Sequence, residues 1–174
     1  TQLLCNLYYA IIYPFLLYGI AVWGNAAITF LDSTHKLQKK FVRLATFNDS
    51  IIMIQNVPSF HPSAPLLHQL NIINIFDIFK LQLGTFVFES INNIGPSNSI
   101  IEFKRIDETH NHLTRFASRG NLILDNVRTS RYGLKSLSFE GARLWSNIPE
   151  PIRKKPNKKL FKNHYKNFLL ISYK

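Results

Sequence analysis

One cysteine, Cys5, stands in 174 residues. An internal disulfide is excluded, and a cysteine-rich zinc knuckle, which needs several thiolates, is excluded with it. A lone thiol suits a reducing compartment, and within apolar sequence Cys5 reads as a small core side chain rather than a nucleophile. Glycines are few, seven in all, and none forms a phosphate-cradling loop or flanks a serine as a nucleophile elbow requires. His110 and His112 would share one face of a strand, but no third ligand has metal-site spacing with them. The sequence contains no Asp-Asp. Its one adjacent acidic pair, Asp107-Glu108, has no apolar strands beside it and reads as solvated surface.

Charge of either sign is missing from the start of the chain: the first charged residue is Asp32. Within that neutral segment lies Leu7 to Gly24, an apolar run that must be buried in a protein core or a bilayer. A span needs about 20 apolar residues, so length permits one. Tyr8, Tyr9, Tyr13 and Tyr18 argue for a core, because hydrocarbon offers their hydroxyls no partner. The expectation is a buried helix kinked at Pro14, which lacks the N–H of the helical ladder. Tyr13 and Tyr18 should be hydrogen-bonded inside, with Trp23 beside the next helix. The alternative class is a membrane-anchored basic interaction protein using 7–24 as anchor.

At 46% hydrophobic, the chain can bury a core and is not disordered by composition. The pattern predicts a mainly α (α+β) fold. Thr29 reads as the N-cap of a helix reaching about Phe47, with Phe30, Leu37, Phe41, Leu44 and Ala45 on its inward arc. Residues 48–65 hold Pro58, Pro62 and Pro65 and read as a loop; a short helix at Leu66 to Leu70 follows. Asn74, with Asp77 three positions on, caps a helix to about Asn92 whose apolar residues wrap most of its circumference. Composition changes after Gly95-Pro96, which divides the chain into a helical region over 1–100 and a basic region over 101–174. In the latter, Leu122 to Val127 and Lys135 to Phe139 are expected to pair as a small β-hairpin. A short helix spans Gly141 to Ser146, stopped by Pro149 and Pro151. Asn157 starts a last helix to about Ile171.

Net charge is +11, and it is unevenly placed. Residues 1–103 carry five basic and five acidic side chains, whereas residues 104–174 carry the whole excess. This points to an anionic partner, nucleic acid before a membrane surface. Lys36, Lys39, Lys40 and Arg43 fall on one helix face, suited to phosphate contact or simply to solvation. Arg115, Arg119, Arg128 and Arg131 recur among Phe116, Tyr132 and Phe139, a mixture that can grip phosphate and stack on bases. Trp145, in Leu-Trp-x-x-Ile-Pro, reads as the anchor of a small core. Lys154 and Lys155 belong to a basic run that could contact nucleic acid or act as a nuclear address.

The stretch from Tyr8 to Gly24, with its tyrosine-proline, tyrosine-glycine and tryptophan-glycine punctuation, resembles the segment after the catalytic palm in reverse transcriptases of non-LTR (LINE-type) retrotransposons. The resemblance continues in order through Leu37-Gln38-Lys39-Lys40, Leu70-Asn71-Ile72, His112-Leu113-Thr114-Arg115, Val127-Arg128-Thr129 and Leu144-Trp145-Ser146-Asn147-Ile148-Pro149. It covers nearly the whole chain. What it implies is the thumb and C-terminal part of an RNA-directed DNA polymerase, expected here as a fragment. The parent would use magnesium held by an aromatic-x-Asp-Asp turn, which this chain lacks, so no catalytic residue and no cofactor are assigned to it. The implied partners are RNA and DNA as template–primer, together with the missing upstream palm, and no membrane. The implied location is nucleus and cytoplasm.

Overall fold

The computed structural model describes residues 2–51, 63–94, 101, 103–109, 114, 119–129 and 132–173; within helices, the side chains of 47–51 and 109 lie outside that description. The fold is mainly helical. In order, the elements are α1 (Gln2–Leu7), a π turn (Tyr8–Ile12), α2 (Tyr13–Leu17), α3 (Ile20–Trp23), α4 (Ile28–Ile51), α5 (Ser63–Gln69), α6 (Ile75–Ile91), α7 (Ile106–Thr109), α8 (Leu137–Asn147), α9 (Glu150–Arg153) and α10 (Lys158–Ile171). They form two compact units, one of residues 1–79 with 166–174 and the other of residues 80–165. The division falls inside α6 and inside α10.

The first helical segment departs from regular α geometry just before its proline. Pro14 cannot donate to the ladder, and the turn before it widens to π geometry, with the Tyr13 N–H bonded to the Tyr8 carbonyl. Such insertions are a recognised cause of kinks. The segment then breaks at Gly19, whose φ of 62° lies in the left-handed region that favours glycine.

Only part of this segment is core. Tyr8, Leu16 and Ile20 are buried, whereas Tyr18 is 84% exposed and Ile11 51%. The hydroxyl bonded in the interior is that of Tyr8, not those expected at Tyr13 and Tyr18. Trp23 turns back on its own loop and donates Nε1–H to the Tyr18 carbonyl at 2.6 Å.

The first unit packs Tyr8, Leu16, Ile20, Leu31, Val42 and Ala45 with Leu67, Ile72, Ile73, Ile75, Ile78 and Phe79. Leu169, Leu170 and Tyr173 at the chain's end complete it. The expected cap of α6 is present. The Asp77 N–H donates to Asn74 Oδ1 at 2.9 Å, which satisfies one orphan donor of the helix, and Asn74 Nδ2 donates to Asp77 Oδ2 at 2.9 Å, which holds the capping side chain in place.

The second unit is built on aromatic contacts. Phe161 stacks on Phe88 at 4.6 Å between ring centroids and on Trp145 at 6.0 Å. Gly84 lets α6 approach α10: a Cβ there would lie 2.8 Å from the Tyr165 ring. Trp145 is 4% exposed and donates Nε1–H to the Gly120 carbonyl, which is the anchoring role expected of it. Asn157 caps α10, accepting the Leu160 N–H at 2.9 Å.

The expected hairpin is not formed among the described residues. Leu122 makes an isolated antiparallel bridge with Arg105, flanked by hydrogen bonds from the Ile106 N–H to the Asn121 carbonyl and from the Ile123 N–H to the Lys104 carbonyl. The second arm is instead the start of α8. Ser136 Oγ accepts the Phe139 N–H, and an N-cap commits the following residues to helix.

Candidate nucleic-acid interface

The orientation of α4 decides what its cations face. Its buried side is Leu31, Gln38, Val42, Ala45 and Thr46, a polar residue lying at the centre. Gln38 is 4% exposed, and its whole amide is used. Nε2 donates to the Tyr8 hydroxyl at 2.8 Å and to the Ile73 carbonyl at 2.7 Å, while Oε1 accepts the Ile75 N–H at 3.0 Å. One side chain thus closes the α6 entry and pins α4 against the first segment. Burial pushes the Tyr8 phenol well above its ordinary range, its bond with Gln38 acting the other way. Burial thus keeps that hydroxyl neutral, and its oxygen accepts the Gln38 Nε2–H.

This rotates α4 away from the expected setting. Phe41 and Ala45 do lie at the core, Phe41 against Tyr8 at 5.3 Å. Phe30, Leu37 and Leu44 do not: they are 75, 64 and 64% exposed. An apolar count cannot place a buried glutamine, and Gln38 draws the inward face about a quarter turn from the apolar arc. Thr29 lies within the first turn of α4 and is not its cap.

Lys36, Lys40 and Arg43 are exposed on the side away from Gln38, and Lys39, beside that face, is half-buried. They span about 10 Å of helix axis. Lys36 pairs with Asp32 at 2.7 Å, which lowers the Asp32 carboxyl below its usual range, chiefly through that bond. Among the described residues Lys39, Lys40 and Arg43 form no ion pair.

In the second unit the basic residues divide. Arg119 and Arg128 are exposed, and Tyr132 is 82% exposed. Arg115 and Arg131 lie outside the described residues. Arg143 is held by Glu140 at 2.8 Å, Lys154 by Glu150 at 2.5 Å, and Lys158 by Glu89. Lys155 is half-buried.

Arg153, at the head of the basic run, points inward. It donates to Asn121 Oδ1 at 2.9 Å and lies 6.0 Å over the Trp145 ring. Burial lowers its guanidinium from the ordinary value, the neighbouring Arg119 adding to the effect and Glu150 opposing it. Arg119, Asn121, Ser146, Asn147, Glu150 and Arg153 line a polar cleft of about 450 Å³. The role of Asn121 in holding Arg153 was not visible in the sequence, because nothing in the spacing of 121 and 153 signals proximity.

Asp107 and Glu108 are exposed on α7. Among the described residues no group of three His, Cys, Asp or Glu side chains is placed to hold a metal ion, and no helix is long and apolar enough to cross a membrane. Compared with protein-family models, with curated proteins and with solved structures, the chain matches none.

Proposed function

We propose that the chain binds nucleic acid through backbone phosphates, as the C-terminal part of a non-LTR retrotransposon reverse transcriptase that lacks the catalytic carboxylates. The observation that carries this reading is the row on α4. Lys40 and Arg43 lie opposite the Gln38-anchored core, exposed and with no ion pair among the described residues, and half-buried Lys39 flanks them. The excess charge of residues 104–174 supports it, and Arg119 and Arg128 stand exposed there. The family itself rests on the ordered sequence resemblance. Its template–primer would be the ligand, and the upstream palm would supply both the magnesium site and the chemistry.

The test is binding of the purified chain to a labelled RNA–DNA hybrid across a salt series, with a primer-extension assay in parallel. Log affinity should fall linearly with log salt, each phosphate contact contributing a slope of about 0.7 to 0.9. No primer should be extended with magnesium and deoxynucleotides. Salt-independent binding would remove the phosphate reading, and extension surviving removal of contaminating polymerase would remove the assignment as a non-catalytic piece.

A further inference from the structure

We propose that the polar cleft holding Arg119 and Arg153 binds a phosphomonoester, the phosphate end of a nucleotide or of a nucleic-acid strand. The cleft has a volume of about 450 Å³, and Asn121, Asn147, Ile148 and Glu150 complete its walls. All of these residues belong to the second unit, so the site is separate from the cations on α4.

The guanidinium of Arg153 is held on one side only. Nη1 donates to Asn121 Oδ1 at 2.9 Å and to the Gly120 carbonyl at 3.4 Å. The Trp145 ring lies 6.0 Å from its carbon and donates Nε1–H to that same carbonyl at 3.2 Å. Nε is buried without a hydrogen-bond partner, and among the described residues every bond of the group leaves from Nη1. Nε–H and an Nη2–H are parallel donors along one edge of the planar fork, and such an edge takes two oxygens of a phosphate side by side. A buried charged donor is costly to leave unmatched. Because Asn121, Gly120 and Trp145 already fix the fork, an arriving anion orders little that is not ordered beforehand.

Charge sets the class of anion. Burial disfavours the Arg153 cation, Glu150 offsets part of that, and the neighbouring Arg119 adds to it. Glu150, the acidic residue of the lining, is engaged by Lys154 at 2.5 Å. Two guanidiniums therefore share the cleft while its carboxylate is matched from outside the lining. A phosphomonoester carries about −1.5 to −2 charge at neutral pH and three acceptor oxygens, enough for both; a carboxylate or a phosphodiester carries a single charge. The volume falls in the range of small-molecule sites, about 300–1,000 Å³. That exceeds what one phosphate fills and leaves room for an attached sugar between Asn147 and Ile148.

Titration calorimetry of the whole chain with adenosine 5′-monophosphate, and with adenosine as the uncharged control, tests this. A mononucleotide has no strand to reach α4, so the outcome is independent of the salt series with the hybrid. Anisotropy with a short single strand, 5′-phosphorylated or 5′-hydroxyl, separates the two sources of the phosphate. Binding of the monophosphate but not of adenosine supports the site and assigns it to free nucleotides. Preference for the phosphorylated strand supports it and assigns it to strand ends. Arg119→Gln, at an exposed position, should weaken phosphate-dependent binding about tenfold or more with unchanged helical signal. Arg153→Lys keeps the charge but loses the fork and should do the same; Arg119→Gln decides the matter should that variant not fold. Lys80→Gln, an exposed change of one charge in the same unit, should have no effect. The proposal is overturned if neither probe pair is discriminated by its phosphate, or if Arg119→Gln and Lys80→Gln lose affinity alike.

Discussion

The Tyr173 hydroxyl donates to the Asp77 carboxylate, 96 residues away in sequence, and closes the N-terminus of α6. The same hydroxyl accepts the Asn74 N–H at 3.0 Å, and Asn74 in turn exchanges two bonds with Asp77. Both Tyr173 and Asp77 are buried. Burial raises the Tyr173 phenol far above its usual range, and the Asp77 charge raises it further, so it remains a donor. Tyr173→Phe removes a donor from a buried carboxylate and an acceptor from a backbone N–H. Hydrogen bonds to charged groups contribute about 1.5–3 kcal/mol, and a loss of that order should appear in the urea midpoint. Tyr132→Phe, at an exposed position, should leave the midpoint unchanged.

Gln38 offers a second test of the same unit. Gln38→Leu keeps comparable bulk but orphans the Ile73 carbonyl and the Ile75 N–H, and leaves the Tyr8 hydroxyl without its amide. Unsatisfied buried groups cost about 1–3 kcal/mol each, so the variant should lose on the order of 3 kcal/mol or fail to fold. Gln38→Glu retains only the acceptor and should be no better. If Gln38→Leu were as stable as wild type, the amide would not be what orients α4.

His35 should give the first unit a pH dependence. Its Nδ1 is buried without a hydrogen-bond partner, and the ring sits edge-on to Phe76 at 5.2 Å. Burial lowers its pKa, Lys39 acting in the same direction and Asp32 against it. The unfolded chain therefore takes up the proton first, near the ordinary value of about 6.5. The favourable contribution of neutral His35 is complete above that pH and is lost as pH falls through the lower folded value. Urea midpoints measured downward from neutrality should decline, and His35→Phe should flatten that part of the profile. Equal profiles for the two proteins would mean that the decline comes from other groups.

These residues also show what the sequence could and could not disclose. The Asn74–Asp77 box and the Asn157 cap are local patterns of four residues, so they were legible, as was the core role of Trp145 in its apolar context. The setting of α4 was not, because a helix buried around a glutamine is misread by any count of apolar positions. Four tyrosines in the first segment look alike on paper; the π turn and the break at Gly19 decide that Tyr8 goes inside and Tyr18 outside. The basic run after Pro151 reads as uniform charge. Only the fold separates Arg153, turned onto Trp145 and Asn121, from the exposed Lys154 beside it. The hairpin failed for a related reason: the partner of Leu122 lies before it, at Arg105, and apolar alternation does not say which stretch pairs with which.

That separation ranks the candidate contacts. Lys40 and Arg43 are exposed and form no ion pair among the described residues, whereas Lys154 is held by Glu150. A paired cation must release its carboxylate before it neutralises a phosphate, so it displaces fewer counterions for the same formal charge. Lys40→Ala with Arg43→Ala should reduce the salt slope of hybrid binding by about 1.4 to 1.8, two contacts' worth, with little change in sequence preference, because phosphate contacts position without specifying. Lys154→Ala should change it by less than one contact. Arg128→Ala, at an exposed position, should behave like a single residue of the α4 pair. The measurement is fluorescence anisotropy with an RNA–DNA hybrid at a series of salt concentrations, each variant checked for unchanged helical signal. An unaltered slope in the α4 double variant, alongside a large loss from Lys154→Ala, would move the interface from α4 to the basic run.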